Sequence, residues 1–317
     1  MPSKLDEIPW ARRLKLRRLE VFLAVHETGS LTSAAVHLHM TQPALSHWLA
    51  DAEEAVGRPL FLRLRRLTLT PEGEVFRAHA ARMLGDVERT DADLKAVRAG
   101  LQGRLHVGTG LPRVLLPRAI ARLHESRPGI FVSVSEAPLP QLLEMLAKRE
   151  IDMIIGALAA QARASGFAVE PLLVDSVQVV ARRQHPCLQQ PATWESTLQY
   201  PWILPPVGAV MRSALDAAFA AQHLAPPIPC VEANSSVRVQ LLHEERNYLS
   251  ILSASEVLLY RSQGVLDNLR LFPEIPSPDI GAIWEEERGS GLVSHFLEAL
   301  RAQAQVEALE LSQSDAK

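Results

Sequence analysis

A chain of 317 residues has room for two or three domains of ordinary size. Hydrophobic residues make up 47% and charged residues 22%, the balance of a soluble globular protein, and no uninterrupted apolar run is long enough to cross a bilayer. The net charge is −3, yet residues 1–70 carry 10 Lys+Arg against 7 Asp+Glu and the rest 23 against 29, so a polyanion partner is expected for the basic N-terminal part only.

The N-terminal stretch, with Lys4, Asp6, Glu7, Arg12 and Arg13, lacks the apolar middle of a signal peptide. The two cysteines, Cys187 and Cys230, cannot build a disulfide framework and read as ordinary thiols in a reducing cytoplasm. Leu16, Leu19, Phe22, Leu23 and His26 recur at three- and four-residue steps, the apolar face of a first helix that Thr28-Gly29-Ser30 ends. Ser30 stands as the N-cap of a second, short helix carrying Leu31, Ala34, Ala35 and Leu38. Thr41 caps a third, in which Pro43 is tolerated because first-turn amides have no partner inside the helix, and which runs to about Ala55, before Gly57. Two short helices crossing on small residues, the second with a polar first turn, describe a helix-turn-helix whose Gln42 and Ser46 reach base edges in the major groove. Pro59-Leu60-Phe61, then Arg63, Arg65 and Arg66, then Leu67-Thr68-Leu69-Thr70 suggest a two-stranded wing with arginines for phosphates or the minor groove. A plain helical bundle with a solvated arginine loop has the same spacing, which by itself leaves the two readings open.

From Pro71 to about Leu101 a long helix is expected, with Phe76, Ala80, Met83, Val87, Leu94, Val97 and Leu101 forming a heptad seam for a dimer. Roughly 25 residues at about 1.5 Å each give a rod near 40 Å. Beyond it, strands and helices alternate. Strands fall at 104–107, 130–134, 153–155, 177–180, 202–204, 230–232, 249–252 and 280–284, implying mostly parallel sheets in two lobes. Gly108-Thr109-Gly110 after the first strand tempts a nucleotide-binding reading, but Arg113 stands in place of the third glycine. What survives is the affinity of helix N-termini for anions, here, at Asn234-Ser235-Ser236, and at Ser253, which heads a capping-box sequence ending in Glu256.

The ordered pattern Leu19, Phe22, Gly29-Ser30, Ala34-Ala35, Thr41-Gln42-Pro43-Ala44-Leu45-Ser46, Gly57, Pro59-Leu60-Phe61, Arg63 and Leu69-Thr70-Pro71-Glu72-Gly73 resembles the DNA-binding domain of LysR-type transcriptional regulators. The stretches Gly103–Gly108, Leu116-Pro117, Ile151–Gly156 and Gln184-His185-Pro186 are similar to the co-inducer domain of the same family, which looks like a periplasmic binding protein. The resemblance implies an α plus α/β chain in order: a winged helix-turn-helix at 14–73, a linker and dimerisation helix at 74–102, an effector-binding domain at 103–305 and a tail at 306–317. Within the effector domain it implies one lobe of 103–172 and 273–305 and another of 173–272. It assigns DNA contacts to Gln42, Pro43, Ser46 and His47, with Ser30, Thr32, Ser33 and Thr41 beside them and Arg63, Arg65 and Arg66 on the wing. Three positions depart from the pattern: His47 replaces Arg or Lys, Trp48 a polar residue and Ala52 a core leucine. The effector is expected near Thr109, Gly110, Arg113, Ser135, Glu136, Pro205, Gly208, Arg212, Asn234, Ser235, Ser236 and Ser253, with Arg113 or Arg212 neutralising a small organic acid. Trp202-Ile203-Leu204-Pro205-Pro206-Val207-Gly208 is similar to a branch that regulates sugar uptake and aromatic-acid breakdown. Expected partners are double-stranded promoter DNA, an effector, further copies of the chain up to a tetramer, and RNA polymerase; no membrane, metal or cofactor is expected. No Gly-x-Ser-x-Gly elbow, P-loop or His-Glu-x-x-His pair speaks for catalysis. The competing reading is a small-molecule-binding or enzymatic α/β domain whose N-terminal helices only mediate oligomerisation.

Overall fold

The computed structural model describes residues 15–63, 66–98, 100–110, 114–158, 160–233, 235–244, 246–275, 279–286 and 291–315. The chain divides into two compact units, one of Met1–Gly100 with Glu144–Glu150 and one of Leu101–Leu143 with Ile151–Lys317.

In the first unit, α1 (Leu16–Thr28) buries Leu19, Phe22 and Val25 and ends at Gly29, whose φ of 65° is the left-handed exit that glycine adopts without strain. The helix α2 (Leu31–His37) is capped by Ser30, whose hydroxyl accepts the Ser33 N–H at 3.4 Å. Thr41 caps α3 (Gln42–Val56) in the same way through Ala44 N–H, with Pro43 in the first turn. Ala34 and Ala35 are buried in the core shared with Leu45 and Leu49 of α3, and Ala52 is buried as well. The departure from leucine at Ala52 therefore still fills a core position. Strands β1 (Phe61–Arg63) and β2 (Leu67–Leu69) form an antiparallel wing with Leu62 opposite Thr68. The ring of Phe22 packs 5.0 Å from Phe61 and 4.8 Å from Phe76, centroid to centroid, joining α1, the wing and the next helix.

That helix, α4 (Pro71–Arg98), begins with Glu72 and Glu74 and ends with Lys95 and Arg98, charges that complement its macrodipole. Gly73 is required by close approach, since a β-carbon there would strike the Leu60 carbonyl oxygen. The expected seam divides in two. Phe76 and Ala80 are buried in the core of their own unit, whereas Met83, Val87, Leu94 and Val97 are exposed along the rod.

The described residues of the second unit form a five-stranded sheet, a three-stranded sheet and a two-stranded pair. Strand β3 (Gly103–Thr109), helix α5 (Leu115–Ser126), strand β4 (Ile130–Glu136), helix α6 (Leu139–Ala147), strand β5 (Met153–Ala157), the single turn α7 (Ala160–Arg163) and strand β6 (Ala168–Leu173) come first. The chain then crosses to β7 (Val177–Arg182), a 3-10 turn at Pro186–Leu188, α8 (Trp194–Thr197), β8 (Ile203–Leu204), α9 (Val210–Ala221), β9 (Val231–Glu232), α10 (Ser235–His243), β10 (Ser250–Ser253), α11 (Ala254–Ser262) and β11 (Leu266–Asn268). It returns through β12 (Ile280–Trp284) and closes with α12 (Leu292–Asp315). The larger sheet has the order β4-β3-β5-β12-β6 and the smaller β10-β7-β11, with β8 and β9 forming a separate parallel pair.

The expectation of mostly parallel sheets holds for β4, β3 and β5. It fails for β12, antiparallel to both its neighbours, and for all of β10-β7-β11. The reason is topological: a strand that carries the chain into a sheet and one that carries it back run in opposite senses. Strands β6 and β11 were not expected, and α12 continues past residue 305 to Asp315, where a tail was expected. The core of the larger sheet packs Leu105, Val107 and Ile155 against Leu116 and Leu123 of α5 and Phe296 and Leu300 of α12. The smaller sheet is backed by Trp202, Trp194 and Phe219, with Trp194 and Phe219 edge to face at 5.0 Å.

Candidate nucleic-acid interface and effector site

The polar first turn of α3 is held outward by the apolar side of the same helix, where Leu45 and Leu49 are buried. Thr32, Ser33, Thr41, Gln42, Pro43 and His47 are exposed, and Ser30 and Ser46 are half-buried at the helix starts. The Gln42 amide donates to the Ser46 hydroxyl at 2.8 Å, so these two base-reading candidates form one unit whose remaining donors and acceptors face outward. His47 stands 3.8 Å from Asp51, which also accepts from Arg18 at 2.8 Å. The position for which the resemblance implies arginine or lysine thus carries an imidazole beside a carboxylate that a permanent cation already engages.

Arg66 is exposed at the foot of β2, and a β-carbon at Gly29 would collide with its side chain. The Leu67 N–H donates to the Gly29 carbonyl at 3.1 Å, so the wing is tied to the α1–α2 turn. Arg65 and the side chain of Arg63 lie outside the described residues. One cation escaped the sequence reading: Arg17 on α1 is exposed, pairs with Glu20, and donates to the Leu38 carbonyl at the end of α2. Its signal was the Arg17–Glu20 spacing, which only the fold brings beside the α2–α3 turn. Among the described residues no group of three His, Cys, Asp or Glu side chains has the arrangement of a metal site.

In the second unit the register sets Gly108 opposite Ser135 and Thr109 opposite Glu136, which gathers the first effector candidates at the ends of β3 and β4. Thr109 is buried and its hydroxyl donates to the Ile155 carbonyl at 2.9 Å, fixing β5 rather than pointing outward. The Ser135 hydroxyl lies 2.9 Å from His106 Nε2, and Glu136 is exposed. A second group forms at the ends of β8 and β9, where Leu204 is opposite Glu232. Pro205 is buried there, and Gly208 is exposed with a φ of 88° before the uncapped start of α9.

Arg212 in the first turn of α9 is only 8% exposed. Its Nε donates to Asp216 at 3.0 Å and its Nη1 lies 3.7 Å from Glu232, so this candidate cation already has two carboxylates beside it. Ser253 is the N-cap of α11: its hydroxyl accepts the Glu256 N–H and the Glu256 carboxylate accepts the Ser253 N–H. Ser236 is exposed on α10, while Arg113, Asn234 and the side chain of Ser235 lie outside the described residues.

Two family models match this chain: "LysR substrate binding domain" over residues 98–305 and "Bacterial regulatory helix-turn-helix protein, lysR family" over residues 16–74. The HTH-type transcriptional regulator GalR of Pseudomonas putida is 34% identical over 259 residues, covering 80% of this chain and 65% of that protein. The chain thus spans less than two thirds of that relative. The regulator YdcI of Escherichia coli K12 is 31% identical over 279 residues, 86% of this chain and 88% of its own length. Among solved structures, full-length CbnR in complex with its target DNA has a TM-score of 0.61 at 21% identity, covering 92% of this chain and all of CbnR, a likeness of fold. Matched along both units in the same order, the chain belongs to the LysR family of bacterial transcriptional regulators.

Proposed function

We propose that this chain binds promoter DNA as an oligomer, with the first turn of α3 in the major groove and the wing on the backbone, and that a small molecule held by the second unit sets its activity. The observation that carries the reading is the exposed Thr41-Gln42-Pro43 turn with Ser46, presented on a helix whose opposite side is locked by buried alanines and leucines. Gln42, Ser46 and His47 would face base edges and phosphates, with Arg17 and Arg66 adding sequence-independent attraction. The exposed Met83, Val87, Leu94 and Val97 of α4 supply the dimer seam. In the same reading dimers pair into tetramers in the cytoplasm and RNA polymerase is the downstream partner. The effector acts by population shift, so its influence is limited to its preference for one arrangement of the assembly.

One observation favours a hydroxyl-rich, sugar-related metabolite over a simple organic acid. Around Arg212 one cation meets two carboxylates, Asp216 and Glu232, a set that accepts as well as donates hydrogen bonds and lacks surplus positive charge.

Retardation of the DNA upstream of the chain's own gene tests the first claim, with salt titrated and with Gln42→Ala and Arg66→Ala compared. Specific binding that weakens as salt rises, about 10-fold or more weaker in Gln42→Ala, supports it. For Arg66→Ala, uniform weakening across sequences and a salt slope lower by about 1 are expected. Binding indifferent to both substitutions overturns the assignment of the interface.

A further inference from the structure

Two residues of the first unit stand where their types are disfavoured, and one contact accounts for both. Gly85 is buried in the middle of α4, where glycine costs helix stability relative to alanine. Arg149 follows α6 with a φ of 62°, the left-handed helix exit that favours glycine. Its N–H donates to the Leu146 carbonyl at 3.0 Å, and the Glu150 N–H donates to the Met145 carbonyl at 2.9 Å, which closes that exit. Residues 144–150 belong to one compact unit with α4, although Ile151 resumes the second unit directly after them.

The two exceptions meet. A β-carbon on Gly85 would strike the Lys148 carbonyl oxygen, so glycine is what lets the exit lie against α4. There Arg149 donates from Nη1 to Asp86 Oδ2 at 2.6 Å, and the Arg89 guanidinium donates to the Arg149 carbonyl. At about 100° per residue, Gly85 and Arg89 lie on the side of α4 opposite Met83, Val87, Leu94 and Val97, so a partner helix on that seam leaves the contact in place. Three residues beyond Arg149 the chain is fixed to β3 within the second unit. The Asp152 N–H donates to the His106 carbonyl and the His106 N–H to Asp152 Oδ2, both at 2.8 Å. His106 Nε2 in turn lies 2.9 Å from the Ser135 hydroxyl.

We propose that the Lys148–Arg149 exit seated on Gly85 is a clasp with a docked and a released state, through which the strands β3 and β5 and the dimerising helix α4 act on one another. The clasp rests on the reading given above, in which Ser135 belongs to the effector site and α4 is the dimer rod. In the docked state the Asp86 ion pair and the Arg89 hydrogen bond hold the Arg149 backbone in a conformation that arginine disfavours. Release gives up those polar contacts and lets the exit relax, so contacts and strain oppose one another and the two states are balanced. Three residues of chain separate Arg149 from Asp152. A ligand that shifts β3 at Ser135 therefore displaces one partner of the clasp and biases its equilibrium, and whatever moves α4 biases β3 and β5 in return.

Hydrogen exchange of the full chain, free in solution, tests the clasp in the wild type, Gly85→Ala and Asp86→Asn. Alanine favours helix, so Gly85→Ala expels the exit without weakening α4 itself. Exchange at residues 144–150 is expected to become about 10-fold faster or more, and at Asp152 and in β5 about 3-fold faster, while the α4 amides exchange as slowly as before or more slowly. Asp86→Asn removes a partly exposed ion pair and should speed exchange at residues 144–150 by about 3-fold. The same readings are repeated with the DNA upstream of the chain's own gene, and with any member of a panel of sugars and short carboxylates that raises Tm. Either should change exchange at residues 144–150 in the wild type and not in Gly85→Ala. Unchanged exchange there in both variants of the free chain overturns the proposal. So does faster exchange that stops at Glu150 or that spreads over α4 as well, and so does a bound ligand that acts equally on the wild type and Gly85→Ala. A wild type that retards no DNA counts against the DNA-binding reading alone, because the free-chain readings decide the clasp without a ligand. If Gly85→Ala does not fold, Asp86→Asn decides by the same readings.

Discussion

The two units treat their polar side chains in opposite ways. In the first, the polar residues of α2 and α3 point away from a core of aromatic rings and alanine methyls, and the Gln42–Ser46 bond leaves both groups at the surface. In the second, three of the polar candidates are engaged by the fold, although Glu136 and Ser236 are exposed: Thr109 fastens β5, Ser253 caps α11, and Arg212 lies beside two carboxylates. The difference follows from the tasks. A reading head must recognise a partner that arrives as a rigid surface, so its specificity groups stand outside the packing. A sensing body must enclose a small ligand, so its specificity groups belong to the packing and are satisfied by it. Fold stability and recognition should then be separable in the first unit and entangled in the second.

The largest effect is expected where packing alone is removed. Phe22→Ala empties a fully buried ring from contact with Phe61 and Phe76 and should cost about 3–5 kcal/mol, measured by chemical denaturation. Gln42→Ala, on the exposed face of the same unit, should stay within about 0.5 kcal/mol of the wild type. A stability loss at Gln42 comparable to that at Phe22 would break the separation between core and reading face.

Much of the first unit was legible in the sequence because its signals are local. Glycine, serine and threonine mark the ends of α1, α2 and α3, and apolar residues recur within single helices. The seat of Arg66 over Gly29 was not legible, since it joins residues far apart in sequence through the wing. The first half of the α4 seam misled for a related reason: a periodic apolar stripe shows that a face is covered but not by what, and Phe76 and Ala80 are covered by their own unit. In the second unit most strands were visible as apolar runs, but not their direction, which depends on the return of the chain through β12. Strand β6 carries Glu170 and Pro171 and is only half-buried along most of its length, and β11 has three residues, so neither gave a clear run. Asp216 lies one turn from Arg212 and was within reach of sequence reasoning; Glu232 arrives on β9 and was not.

A middle-sized effect sharpens the comparison within the second unit. Arg212→Leu leaves Asp216 and Glu232 facing each other without their cation and should cost about 1–3 kcal/mol in thermal unfolding, even without any ligand. It should also remove the stabilisation that an effector confers, read as the shift in Tm on adding members of a panel of sugars and short carboxylates. A variant that loses the effector response at unchanged stability would show that Arg212 is free for recognition, as the residues of the first unit are.

The smallest change concerns His47. Its side chain is three-quarters exposed and contributes little packing, so His47→Arg should alter stability by no more than about 0.5 kcal/mol. On DNA it would supply a permanent cation in the first turns of α3. One further phosphate contact would deepen the slope of log affinity against log salt by about 1 and tighten binding mainly at low salt. Asp51 opposes this gain, because it stands 3.8 Å from the histidine ring and would compete with phosphate for a new guanidinium. Arg18 already engages that carboxylate at 2.8 Å, which weakens the competition. A steeper salt slope at equal stability is therefore the expected result in retardation assays over a range of salt. An unchanged slope would mean that position 47 does not face the backbone, and the docking of α3 would have to be rotated about its own axis to bring Gln42 and Ser46 onto the bases without it.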